Sequence, residues 1–181
     1  MRLKLLSPDE MTEDQRQTYD ESIASKRGKP PPPMLAWLNS PEMARHATRL
    51  GAVLRFDTVF PAKLSEIAIL VTARHWTAHY EWYAHKRLAL KGGMEPAIIE
   101  DIRNRRTPRF ADPKGQMIYD VSKSLHEGHG LTQVLYDEAV KLLGERGLVE
   151  IIGLCGYYTM VSMTLNTFEM DLPDGEISEL A

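Results

Sequence analysis

The chain has 181 residues and a formal net charge of −3, which fits one domain with a sizeable core. Its sequence pI of about 6.1 provides no global basic field, so neither nucleic acid nor an anionic membrane is expected as a partner. The single cysteine, Cys155, excludes an intramolecular disulfide framework and any Cys-x-x-Cys redox or zinc pair.

The first 33 residues predict a helix and an extended connector. Ser7-Pro8-Asp9-Glu10 is typical of a helix start, with a cap, a proline and two acids, and we expect this helix to reach about Ser25. The segment Lys26–Pro33 ends in four consecutive prolines, which lack amide donors, so we expect an extended spacer. The early acidic residues do not resemble a signal peptide, and we expect a cytoplasmic protein.

Residues 34–181 predict a helical domain. After a short turn at 34–38, proline starts and glycine stops define helices from Pro41 to about Phe56, Pro61 to Gly92, Pro96 to about Asn104, Pro113 to near Glu127, Thr132 to Leu143 and Leu148 to Met170. No alternating segment reaches a convincing strand length. We therefore predict an all-α antiparallel bundle.

The segment Arg103–Arg109 contains four arginines in seven residues. Such a loop could bind a carboxylate or phosphate. Because charge runs are mostly solvated, we favour a hydrated loop near acidic neighbours.

The central stretch, residues 64–93, is the strongest candidate for chemistry. It contains Glu66, His75, His79, Glu81 and His85, and its three histidines fall within eleven positions. Histidine titrates near neutral pH, so histidines beside carboxylates favour proton transfer. Glu81 lies one helical turn before His85, where it can orient the imidazole and raise its pKa.

Two other interpretations of the stretch remain open. His75 and His79 are one turn apart and could be two ligands of a metal ion, but no third ligand follows at a recognised spacing, so we predict no metal. The aromatic residues could instead form core and subunit contacts, with the histidines as their hydrogen-bond partners: Trp76, Tyr80, Trp82 and Tyr83.

Three motifs of this stretch resemble a known family. They are Leu-x-Glu-Ile-Ala-Ile-Leu-x-x-Ala-Arg from Leu64, then Glu81-Trp82-x-x-His85, then Gly92-Gly93. Together they are similar to the core signature of the carboxymuconolactone decarboxylase family, which includes the alkyl hydroperoxidase D proteins. The segment Gly156–Phe168 resembles the C-terminal helix of longer members. The resemblance implies an alkyl hydroperoxidase D-like bundle with an N-terminal helical extension, assembled as a homo-oligomer, commonly a trimer or hexamer.

The chain departs from the hydroperoxidase motif at its reactive cysteines. Ala78 and Glu81 occupy the two cysteine positions, while Glu66 and His85 match the glutamate and histidine that serve them. Thiolate attack on a peroxide needs a cysteine, and Cys155 lies in an apolar segment where a buried, inert thiol is expected. Peroxidase activity of that type should therefore be absent.

The sequence Glu81-Trp82 followed by His85 resembles the motif of the decarboxylase branch of the family. That branch acts on a small carboxylated lactone such as 4-carboxymuconolactone, formed in aromatic-compound breakdown. This chemistry implies no cofactor, because the electrons released with carbon dioxide delocalise onto the lactone carbonyl. The resemblance implies that His85 donates the proton, Glu81 sets its orientation and charge, and Glu66 relays or stabilises.

The same resemblance implies a substrate pocket beside His85. His79 and Tyr80 are expected to line it. Arg74 is a candidate to bind the substrate carboxylate, with Arg55 and the 103–109 loop as alternatives.

The resemblance also implies a break between two helices near Trp76-Thr77, with Thr77 as a possible cap. The break would let Glu66 return beside His85, whereas a continuous helix would separate them by about 28 Å.

Two other functions remain open. One is peroxide reduction by Cys155 in a member with altered thiol activity. The other is a non-catalytic oligomer that binds a small acid.

Overall fold

A computed structural model describes residues 1–26, 28–173 and 175–181, and every regular element in these ranges is helical. This confirms the all-α prediction. A short 3-10 helix at Pro8–Glu10 precedes eight α-helices: α1 Glu13–Ala24, α2 Pro32–Trp37, α3 Pro41–Phe56, α4 Ala62–His75, α5 His79–Lys91, α6 Pro96–Arg103, α7 Pro113–Gly128 and α8 Gln133–Thr167.

Helix α4 is the centre of the bundle. Ten consecutive residues, Leu64 to Ala73, are buried, which is the pattern of a helix that is covered on all sides. It packs against α5, α7 and α8, and more lightly against α3 and α6. A polar side chain within residues 64–73 is therefore held in the interior, and Glu66 is one of them.

Helix α8 contains two predicted helices joined by a kink at Gly144. The kink has φ 75° and ψ 162°, a conformation that glycine adopts without the steric cost of a side chain. By length and composition alone α8 could cross a membrane, but half of its most apolar window is buried in the bundle. It packs against α4 and α7, as the core helix of a globular domain does.

The N-terminal helix is not continuous from Ser7 to Ser25, so that prediction is wrong. The chain becomes extended at Met11 and Thr12, and α1 starts anew. The Thr12 hydroxyl accepts a hydrogen bond from the Gln15 amide, and the Gln15 side chain accepts one from the Thr12 amide at 2.9 Å. This capping box satisfies amide donors that a helix start leaves free.

The proline connector is shorter than predicted, because Pro32 and Pro33 form the first turn of α2. Proline is tolerated there, since amides of the first turn have no helical acceptor. The predicted boundary between residues 33 and 34 therefore falls inside a helix. Trp37 at the end of α2 donates its indole N–H to the Thr164 hydroxyl at 2.8 Å, which fixes α2 on α8.

The predicted break between α4 and α5 is confirmed. Trp76 ends α4, Thr77 has a left-handed φ of 47°, and Ala78 precedes α5 at the cap position. Thr77 as a helix cap is wrong, because its hydroxyl accepts instead from Arg74 at 3.1 Å. The three-residue connection folds α5 back onto α4.

Candidate active site

The α4–α5 hairpin brings two carboxylates to one histidine. His85 Nδ1 lies 2.6 Å from Glu66 Oε2, and its Nε2 lies 2.8 Å from Glu81 Oε1. All three residues are buried, with 3%, 5% and 5% of His85, Glu66 and Glu81 exposed. The predicted return of Glu66 to His85 is therefore confirmed.

The two pairs arise from different levels of the fold. Glu81 and His85 are four residues apart in α5, so the helix itself places them on one face. Glu66 is nineteen positions from His85 and reaches it only because the chain reverses at Thr77. One contact is local, and the other depends on packing.

The two carboxylates keep the imidazole charged. Burial on its own would lower the pKa of His85, but the charges of Glu66 and Glu81, and hydrogen bonds to both, raise it from 6.5 to about 9. The protonated ring then donates both of its N–H groups, one to each carboxylate. At neutral pH the site is an imidazolium held between two acids.

A cavity of about 540 Å³ borders this site, and both His85 and Glu81 line it. Glu66 is not among the lining residues and lies behind the ring. The proton shared by His85 Nε2 and Glu81 is therefore the one that reaches the cavity. The remaining walls come from α2, α3, α5, α8 and the segment before α2: Lys26, Lys29, Pro31, Pro32, Pro33, Arg55, Phe56, Tyr80, Ala84, Arg87, Leu88, Tyr157, Tyr158 and Val161.

Of the three predicted binding residues, only Tyr80 lines this cavity. Burial and the Glu81 charge raise the pKa of its phenol, so it is a neutral hydrogen-bonding group. His79 contacts the Ser178 hydroxyl in the C-terminal segment. Arg74 donates to the carbonyl oxygen of Arg103 at 2.6 Å, so the structure places His79 and Arg74 away from His85.

His75 and His79, the pair considered for a metal ion, contact different neighbours. The His75 ring stacks on His126 with 4.7 Å between ring centroids, whereas His79 faces Ser178. Within residues 1–26, 28–173 and 175–181, no group of three or more histidine, cysteine, aspartate or glutamate side chains is arranged to hold a metal ion.

Cys155 lies on α8 and is 4% exposed. Burial raises the pKa of its thiol, against the opposing effect of hydrogen bonds with Ser122 and Thr72. A buried thiol with a raised pKa carries little thiolate at neutral pH. The expected burial of this cysteine is confirmed.

The arginine-rich loop pairs with acids of α6. Arg103 lies 2.6 Å from Glu100, and Arg106 lies 2.8 Å from Asp101. This is the favoured hydrated loop with acidic neighbours.

Sequence reasoning missed most of the cavity wall. The proline run predicts a spacer, yet Pro31 to Pro33 form one side of the cavity. The sequence around Tyr158 predicts only a helix, although the Tyr158 ring meets the His85 ring edge-on with 5.0 Å between centroids. Arg55 was one of several candidate anchors, and the sequence offered no signal to choose it. These contacts join distant parts of the chain.

Comparisons with known proteins show similarity in structure. No family model and no curated protein matches the sequence. The alkylhydroperoxidase AhpD core structure of a peroxidase-related protein from Ralstonia eutropha JMP134 has a TM-score of 0.77 and 17% identity, over 96% of this chain and 92% of that one. A peroxidase-related protein from Silicibacter sp. TM1040 has a TM-score of 0.76 and 15% identity, over 99% and 94%. The chain therefore has the helical fold of the alkylhydroperoxidase AhpD core.

Proposed function

We propose that the protein is a cofactor-independent carboxy-lyase of the carboxymuconolactone decarboxylase type. Its substrate is a small carboxylated lactone such as 4-carboxymuconolactone, or a related intermediate of aromatic-compound breakdown. The observation that carries this proposal is the His85–Glu81 pair, which holds a mobile proton at the wall of a cavity.

The reaction needs one proton and no redox partner. The bond from the ring carbon to the carboxylate breaks, carbon dioxide leaves, and the electron pair delocalises onto the lactone carbonyl as a dienolate. The proton of His85 Nε2, held at 2.8 Å from Glu81, then adds to carbon. Water reprotonates the pair after product release. Glu66 keeps the ring oriented throughout and favours its charged form before the transfer.

A thiol peroxidase is the alternative that the names of the structural neighbours suggest. It has less support, because Ala78 and Glu81 replace the two cysteines and Cys155 is buried. A non-catalytic small-acid-binding protein is a further alternative. An open cavity fits both functions, and the charged His85–Glu81 pair at its wall is what supports catalysis.

The test is incubation with 4-carboxymuconolactone while its absorbance and released carbon dioxide are followed. We expect the lactone to be consumed with equimolar carbon dioxide, by the wild type and by Cys155→Ser alike, and His85→Gln to lose this turnover. Unchanged turnover in His85→Gln would reject the mechanism. Peroxide reduction that disappears in Cys155→Ser would instead support the peroxidase alternative.

We also propose a homo-oligomer, a trimer or hexamer, in the cytoplasm. Helices α3 and α8 pack together, and both carry exposed apolar side chains, namely Leu50 and Val53 on α3 and Val149 and Ile152 on α8. Light scattering should give a multiple of the monomer mass, and Ile152→Glu should reduce it. Val134→Glu, at an exposed position near the start of α8, serves as the control.

A further inference from the structure

The wall of the His85 cavity carries an excess of positive charge. Four cationic side chains line it, Lys26, Lys29, Arg55 and Arg87, whereas Glu81 is its one carboxylate among the described residues. That carboxylate already accepts a hydrogen bond from His85. An anion entering this cavity is therefore attracted to its cationic side chains.

Two of the cations are already neutralised by neighbours. Lys26 lies 2.5 Å from Asp57, and Arg87 lies 2.7 Å from Glu176 with its guanidinium stacked 3.7 Å from the Tyr83 ring. Both are less available to a ligand.

Arg55 differs from these two. It is half-buried at the end of α3, and none of the carboxylates in the described ranges forms an ion pair with it. Lys29 nearby is exposed and also has no acidic partner among those residues. The Arg55 guanidinium lies 5.5 Å from the centroid of the Phe56 ring, a contact that leaves its N–H groups without a carboxylate among the described residues. Such a planar guanidinium at a cavity wall is suited to bind a carboxylate through two parallel hydrogen bonds.

The rest of the wall is apolar. Phe56, Leu88 and Val161, with the three prolines, offer carbon surface in the same cavity as the cations and His85. A volume of about 540 Å³ lies in the range that accommodates an organic ligand with a ring or chain, rather than a bare inorganic ion.

We propose that this cavity binds an amphipathic organic anion, with Arg55 contacting its carboxylate, Lys29 adding charge, and the apolar body lying against Phe56 and the prolines. This deepens the proposed function, because in the lyase reaction Arg55 binds the carboxylate that is retained while the departing group faces His85 and Glu81. The binding preference itself does not depend on turnover.

The test measures binding of 3-phenylpropanoate and of its uncharged analogue 3-phenylpropanamide by titration calorimetry at pH 7.5. We expect wild type to bind the carboxylate at least about tenfold more tightly than the amide. Arg55→Gln should remove this preference, and Arg55→Lys should keep part of it. Arg49→Gln is the matched control, because Arg49 lies on the same helix but pairs with Glu21 outside the cavity.

Equal affinity for the two compounds, no binding of either, or an unchanged preference in folded Arg55→Gln would overturn the inference. Turnover of 4-carboxymuconolactone tests the proposed function independently of this binding preference. A binding preference that depends on Arg55, without turnover of 4-carboxymuconolactone, supports the anion site and rejects the lyase. Turnover with an unchanged KM in Arg55→Gln supports the lyase and rejects the anion site.

Discussion

Two histidines of this bundle differ in charge at neutral pH: His85 is protonated, and His126 is neutral. His85 lies between Glu66 and Glu81, and they raise its pKa to about 9 against the effect of burial. His126 is stacked on His75, and burial together with the His75 charge lowers its pKa to about 4. Two carboxylates in direct contact thus keep the His85 ring charged, whereas the His126 ring without such contacts is neutral.

The surroundings of the two rings match this difference. The charged ring borders a cavity of about 540 Å³, where a proton can reach a ligand. The neutral ring instead lies within hydrogen-bonding distance of the Thr72 hydroxyl, at 2.8 Å. Thr72 also contacts the buried thiol of Cys155. The first ring therefore has an acidic proton beside a cavity, whereas the second ring takes part in contacts between α4 and α7.

Of the substitutions considered, Glu81→Gln should have the largest effect, because it removes the carboxylate that shares the cavity-facing proton of His85. The amide keeps the shape but cannot share a proton with His85, so we expect kcat for 4-carboxymuconolactone to fall by about 10²- to 10⁴-fold. Steady-state kinetics on the folded variant measure it. A matched change on the same helix, Lys91→Gln, is exposed and should leave kcat unaltered. A loss below about threefold in Glu81→Gln would show that the pair takes no part.

The stability of the protein should fall on the alkaline side because of His85. A raised pKa means that the folded state holds this proton more tightly than the unfolded state. Its contribution is complete below about pH 6.5 and is lost as pH rises through about 9. The shift corresponds to about 3 kcal/mol. Denaturant unfolding between pH 6.5 and 9.5 measures it, and the slope should disappear in His85→Gln. An equal slope in that variant would assign the effect to other groups.

Glu66→Gln should destabilise the protonated form of His85 without changing a residue that lines the cavity. It removes the charge that faces Nδ1, so we expect a lower pKa for His85 and a loss of about 2 kcal/mol in unfolding free energy. Unfolding at pH 7 measures the loss of unfolding free energy, and Glu138→Gln, at an exposed position on α8, is the control. A variant as stable as wild type would show that this ion pair contributes no net stability.

His126→Gln should have the smallest effect, a change in protein stability at acidic pH. Because its pKa is lowered, His126 stabilises the fold above about pH 6.5, and this contribution is lost as pH falls towards 4. The ring is partly exposed, so solvent screening reduces the effect to about 1 kcal/mol. Unfolding at pH 7 and pH 4.5 should show a shallower loss of stability with acid in His126→Gln than in wild type. A steeper loss would contradict the neutral state of His126.

Local patterns were sufficient to predict the helices and half of the site. The starts at Pro41, Pro96 and Pro113 and the stop at Gly144 follow from backbone chemistry that a sequence displays directly. The Glu81–His85 pair follows from helical spacing in the same way.

The rest depends on contacts between distant segments. His79 is turned towards Ser178, ninety-nine positions away, and Arg74 towards Arg103, so their neighbours cannot be deduced from local spacing. The proximity of Arg55 to His85 likewise requires α3 to pack near α5 and α8. The two N-terminal errors have a different cause, since a capping box at Thr12 and prolines in a first helical turn are both local features that compete with longer patterns.

The most direct measurement is an NMR titration of the His85 ring with nitrogen-15 labelling, assigned by comparison with His85→Gln. We predict a fully protonated ring at pH 7.5, with the nitrogen shifts of an imidazolium and a pKa of about 9 that falls in Glu66→Gln and in Glu81→Gln. A ring that is neutral at pH 7.5, or a pKa unchanged by removing either carboxylate, would contradict it.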